Sequence, residues 1–222
     1  MFEEKYVEAE SCLDYAFRHC HRSSVGNKRR ILQFLVPVKL LHSRFPHDRL
    51  LEKYRLPEFR ALIHAIKNGD LESFNENLQQ NQRFFIQKGI YLILEKLKIF
   101  VYRNLFRKVC VSPLCTTLHL DSWLPVQLLV AAISPIACCC LHAPAPSLRH
   151  TFHASETSDP NARHQLPLET LLAALRVNGT DMSMDELECI LANLIFQQNM
   201  KGYIAHKRCV VLSKQDPFPK VA

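Results

Sequence analysis

Lys201, His206, Lys207, Arg208 and Lys214 fall within fourteen residues, with Tyr203 interleaved. Cationic side chains on a hairpin suit phosphate oxygens, and an aromatic ring between them can stack on a base or pack inward. A plainer alternative is that the cations keep an edge strand soluble and Tyr203 belongs to a core. A second basic set, Lys96, Lys98, Arg103, Arg107 and Lys108, lies off the apolar face of a long amphipathic stretch. Cations near a helix C-terminus also suit the helix dipole. Together the two sets predict contact with a nucleic-acid backbone. Asp181, Asp185, Glu186 and Glu188 crowd the start of the neighbouring helix. That is the end with which helix-turn-helix proteins read bases, so acids there argue against base-specific reading of the major groove.

Other chemistries find less support. Cys20 lies between His19 and His21, and Cys209 lies near His206, but neither pair has a recognisable orienting group or oxyanion donors. No phosphate-binding glycine loop, metalloprotease helix or paired-carboxylate signature occurs, so a non-catalytic role without cofactors is expected. Cys138, Cys139 and Cys140, with Cys110, Cys115, His142, His150 and His153, lack the short paired spacing of structural zinc sites. No metal is expected. Residues 123–141 carry no charge but include Pro125, Gln127 and Pro135, and are barely long enough to span a bilayer.

The elements that would position the basic groups follow from periodicity. Ser183 and Glu186 have capping-box spacing, and Met184, Leu187, Ile190, Leu191, Leu194 and Ile195 form one apolar helix face, with Gly202 expected as the left-handed end of that helix. Residues 203–205 and 209–213 are β-prone and flank the basic tip, so helix, turn and hairpin read as the end of a winged helix. Upstream, Tyr6 to Cys20 has helical spacing, a turn is expected over 23–27, and a second helix carries Ile31 to Leu41 with a kink or break at Pro37. Short helices are predicted near 48–55 and 58–67, and Asn68-Gly69-Asp70 joins a C-cap to an N-cap for a helix over 71–80. Residues 84–109 predict one or two helices, and 166–177 a short one. The class expected is an all-α, tetratricopeptide-like array followed by a winged helix with a small β-hairpin.

The chain has 28 Lys and Arg against 21 Asp and Glu, a net charge of +7. Residues 1–109 carry 20 basic and 12 acidic side chains and so hold the excess. Nine cysteines form no regular framework, which favours a reducing compartment, and the acidic start MFEEKYVEAE does not read as a secretory signal. Residues 110–163 change character, with few charges, many Pro, Ser, His and Cys, and no clean period. They read as a low-order insertion of the kind a retained intron would encode. Sequencing transcripts across Val109 and Gln165 tests this, and uninterrupted exon sequence in most transcripts would refute it.

Three runs carry a resemblance: HCHRSS with NKRRILQFLVPVKLL, FFIQKGIYLILEKLKIFVYRNLFRKV, and ECILANLIFQQNMKGYIAHKRCVVLSKQDPFP. Over residues 1–109 and 164–219 the chain resembles the PCI-domain subunits of the nuclear-pore-associated transcription and mRNA export complex, without that family's longer N-terminal helical portion. The resemblance implies a nuclear, partly cytoplasmic scaffold that pairs with a larger PCI-containing export scaffold and with a small acidic disordered subunit shared with the proteasome lid. It also implies binding to RNA or DNA. In that family two winged helices meet side by side, which suits the apolar strand residues Tyr203, Ile204, Val210 and Leu212 as a partner interface. The alternative is an interaction-only PCI subunit of a proteasome-lid, signalosome or translation-initiation assembly.

Overall fold

The computed structural model describes residues 5–111 and 164–219. The insertion expected over 110–163, its apolar run and its cysteine-histidine cluster lie outside them, apart from the helical Cys110 and Val111. Eight helices precede that gap: α1 (Tyr6–His19), α2 (Val25–Leu41), α3 (Asp48–Lys53), α4 (Pro57–Asn68), α5 (Leu71–Gln80), α6 (Gln82–Gln87), α7 (Tyr91–Lys96) and α8 (Lys98–Val111). After it come β1 (Gln165–Pro167), α9 (Leu168–Val177), α10 (Met184–Phe196), β2 (Gly202–Ala205) and β3 (Cys209–Leu212). The described chain is thus mostly helical with one small antiparallel sheet.

Helix α8 joins the two parts. It packs against α4, α5 and α7 on one side and against α9 and α10 on the other. Phe100, Val101, Leu105, Phe106 and Val109 belong to a single apolar core that also includes Leu171, Leu175, Leu187, Leu191 and Val210. Burying a large apolar side chain contributes about 1.5–3 kcal/mol, so this shared core ties the C-terminal elements to the array. The α4–α5 turn lies directly on α8. Gly69 adopts a left-handed φ of 63°, and a Cβ there would sit 2.8 Å from the Leu105 Cα. Asp70 then caps α5 by accepting from the Ser73 amide at 3.0 Å.

Several expectations change. Helix α2 begins at Val25, so the expected turn is shorter, and the helix continues through Pro37 to Leu41. Proline removes one donor from the ladder, but Leu32, Leu35, Val36, Val38 and Leu40 are buried around it, and that packing outweighs the lost bond. Residues 82–111 form three helices, because Gly89 takes a left-handed φ of 69° and the chain turns again at Leu97. The start of the expected 166–177 helix is instead β1, which pairs antiparallel with β3. The sheet order is β1-β3-β2, so β3 is central. Gly202 is not a helix cap: α10 ends at Phe196, Gln198 takes the left-handed conformation, and Gly202 lies in β2 opposite Leu212. A Cβ at Gly202 would collide with the Val211 carbonyl, so it is the close approach of two strands that requires glycine.

Candidate functional site

The hairpin is held from below and from the side. Val210 and Leu212 point into the core, at 0% and 4% exposure, and Ile204 packs against it. This corrects the expected partner interface: of its four residues only Tyr203 is exposed, because strand alternation turns the other apolar side chains inward. Register places Tyr203 opposite Val211 and Val211 opposite Gln165, so these three form a row on the outer face of the sheet.

At the tip, Lys207 takes a left-handed φ of 57°. Glu188, from the second turn of α10, reaches across to it. One carboxylate oxygen accepts from the Lys207 amide at 2.6 Å and the other from His206 Nδ1 at 2.7 Å. The Lys207 amide, opposed by partial burial and aided by His206, holds the Glu188 carboxyl below its ordinary range. The helix carrying Glu188 is itself anchored. Ser183 Oγ accepts from the Glu186 amide at 3.2 Å, and the Glu186 carboxylate accepts from the Ser183 amide at 2.8 Å, which completes the capping box. Three of the four acids that argued against base reading thus have local partners, Glu186, Glu188 and Asp181, the last 3.4 Å from Arg176.

The hairpin cations divide into two groups. The Lys207 and Arg208 side chains are exposed at the tip. Lys201 and Lys214 lie at the opposite end, where the Ser213 amide donates to the Lys201 carbonyl at 2.9 Å. Four residues of strand separate the groups by roughly 15 Å. Next to Lys201, its own amide donates to the Pro217 carbonyl at 2.8 Å and draws in the C-terminal tail.

The second basic set is not one patch. Lys96 lies over the Tyr6 ring, 5.5 Å from its centroid, and Lys98 stands 6.0 Å from the Tyr102 ring. Both are a helix length from the exposed Arg107 and Lys108. Arg103 is 7% exposed and has a different role from the one expected. Its guanidinium donates to the Asn199 carbonyl at 3.0 Å, the Phe218 carbonyl at 3.1 Å and the Pro219 carbonyl, with Asn104 Oδ1 at 3.3 Å. Burial lowers its pKa, the neighbouring Arg107 adds to this, and Asp216 opposes it. With its donors turned to backbone oxygens, Arg103 is a structural clamp rather than a phosphate ligand.

Sequence reasoning missed two residues that shape this region, Glu188 and Arg103 as a clamp. Each holds backbone at least 19 positions away in the chain, and no local spacing signals that. Among the described residues the imidazoles next to Cys20 and Cys209 are engaged elsewhere: His19 and His21 bond the Tyr15 carbonyl and the Ser23 hydroxyl, and His206 bonds Glu188. Among the described residues no cluster of His, Cys, Asp and Glu could hold a metal ion, and no helix is long and apolar enough to cross a membrane.

The fold defines a class, a helical array whose last helices share a core with a small antiparallel sheet, and comparison makes it specific. Residues 157–214 match the family model of the PCI domain. That stretch is similar to a PCI domain. All of the chain aligns with PCI domain-containing protein 2 of Danio rerio at 38% identity, covering 44% of that protein. It aligns equally with the PCI domain-containing protein 2 homolog of Dictyostelium discoideum at 38%, covering 40%. Enhanced ethylene response protein 5 of Arabidopsis thaliana is 36% identical, with 44% of it covered. The chain spans less than half the length of these relatives.

Proposed function

We propose that the chain is a non-catalytic scaffold subunit of a nuclear assembly linking transcription to mRNA export, and that it contacts the backbone of RNA or DNA. In this reading α8 to β3 form a winged helix on a tetratricopeptide-like array. The outer row Tyr203–Val211–Gln165 docks a larger PCI-containing scaffold, and a small acidic disordered subunit completes the complex. The observation that carries the nucleic-acid part is the pinned tip. Glu188 fixes the backbone at Lys207 while the Lys207 and Arg208 side chains stay exposed, an arrangement that presents two cations with the backbone part of the ordering cost already met. Of the remaining candidates, Lys201, Lys214, Arg107 and Lys108 are exposed and extend the contact, with His206 contributing only beyond its bond to Glu188.

Titration of labelled RNA at several salt concentrations tests this. Lys207→Glu with Arg208→Glu should weaken binding and flatten the salt dependence by about 0.7 in slope per lost phosphate contact on a single strand. An unchanged slope would instead favour the interaction-only reading, which the outward Tyr203, 64% exposed, supports. In that case Tyr203→Ala should reduce capture of a partner PCI subunit.

A further inference from the structure

The largest uncompensated charge of the described chain is not at the hairpin. From Tyr15 to His47 there is no Asp or Glu, while Arg18, Arg22, Lys28, Arg29, Arg30, Lys39 and Arg44 are all cationic. Five of these lie at one place, where α1 and α2 pack as an antiparallel pair and join through residues 20–24. Arg18 is in the last turn of α1, Arg22 in the connection, and Lys28, Arg29 and Arg30 in the first two turns of α2, all within about 10 Å along the helix axes. Arg22 and Arg30 are exposed and have no ion pair among the described residues. Arg29 Nε is shielded from solvent and has no hydrogen-bond partner among the described residues. The first turn of α2 holds no acid. Among the described residues only Arg18 of these five has an ion pair, with Asp14, and at 74% exposure that ion pair is weak.

An aromatic platform adjoins these cations. Tyr15 is 65% exposed and stacks on His19 with centroids 3.9 Å apart and planes 25° from parallel. His19 Nδ1 bonds the Tyr15 carbonyl at 3.0 Å, which fixes the pair. Lys28 caps the Phe17 ring at 5.0 Å and keeps its charge at the same end. Cations alone would suit any polyanion, including an anionic bilayer. An exposed, pre-stacked ring within the cationic cluster favours unpaired bases, because every base offers a face to stack while its phosphates meet the arginines. We infer that the α1–α2 turn is a separate binding surface for single-stranded nucleic acid, with Arg22 and Arg30 meeting phosphates and Tyr15 stacking a base.

The inference stands apart from the hairpin, and the test separates the two. The full chain is titrated with a labelled oligouridylate of about 20 nucleotides and with a duplex RNA of equal length. Arg22→Glu with Arg30→Glu should weaken oligouridylate binding about tenfold and lower the salt slope by about 1.4, two contacts' worth. Tyr15→Ala should weaken oligouridylate binding about fivefold and leave duplex binding within twofold. Arg22→Gln with Arg30→Gln serves as the milder pair, and unchanged thermal unfolding shows that each variant folds. Oligouridylate affinity within twofold of the parent in both the arginine and Tyr15 variants would overturn the inference, whatever Lys207→Glu with Arg208→Glu does. So would loss of binding only to phosphatidylserine-rich vesicles, since that assigns the surface to membranes.

Discussion

Arg103 and Glu188 perform the same task in two places, each holding distant backbone with a charged side chain. Arg103 lies under the C-terminal tail and donates to three carbonyls, those of Asn199 and Phe218 out of water. Glu188 lies at the surface and accepts from one amide and one imidazole. Burial makes the difference. A backbone carbonyl stripped of its donor in the interior retains its full desolvation cost, whereas one at the surface is rehydrated. The buried clamp therefore carries fold stability, and the surface pin carries only the order of the hairpin tip.

The sharpest way to break that contrast is Arg103→Met, which keeps side-chain bulk and removes every donor. It should lower unfolding free energy by about 3 kcal/mol in a denaturant titration, because buried carbonyls are left unpaired. A loss under about 1 kcal/mol would show that the tail is held without it. Gly202→Ala comes next. The new methyl meets the Val211 carbonyl, and relieving that overlap should cost about 1–3 kcal/mol and separate β2 from β3. Ser183→Ala removes one half of the capping box under Glu188 and should cost about 1 kcal/mol, seen as a lower thermal midpoint.

The smallest effect is the most local. Because the folded state holds the Glu188 carboxyl below its ordinary value, its contribution is complete above the usual glutamate range and is lost as pH falls through the depressed value. Hydrogen exchange at the Lys207 amide should therefore become faster relative to its intrinsic rate as pH falls, well before global unfolding. Glu188→Gln should show that faster exchange at neutral pH, with little change in the overall unfolding midpoint. Equal protection of Lys207 in wild type and variant would mean the tip is ordered by its hairpin alone.

How legible the molecule was depended on the range of the interactions. The capping box at Ser183 and Glu186, the Gly69–Asp70 junction, the apolar face of α10 and both strands of the hairpin follow from spacings of four residues or fewer. Gly202 misled because glycine marks both a left-handed cap and a close strand approach, and only the partner strand distinguishes them. β1 was hidden because Gln165, Leu166 and Pro167 are too few to show alternation, and their strand identity comes from pairing with β3. Within the candidate site, the exposed cations of the tip were legible as charges. That Lys201 and Lys214 stand at the far end from them became visible only with the register.

By itself, the sequence determined what local physics controls: helical segments from apolar periodicity, their ends from caps, and an excess of positive charge in the first 109 residues. Tertiary structure decided which charges remain available. Arg103 and Arg107 are four residues apart on one helix and identical in chemistry, yet one is spent on carbonyls more than 95 positions away and the other faces solvent. No local pattern separates them, because burial is a property of what folds over a residue.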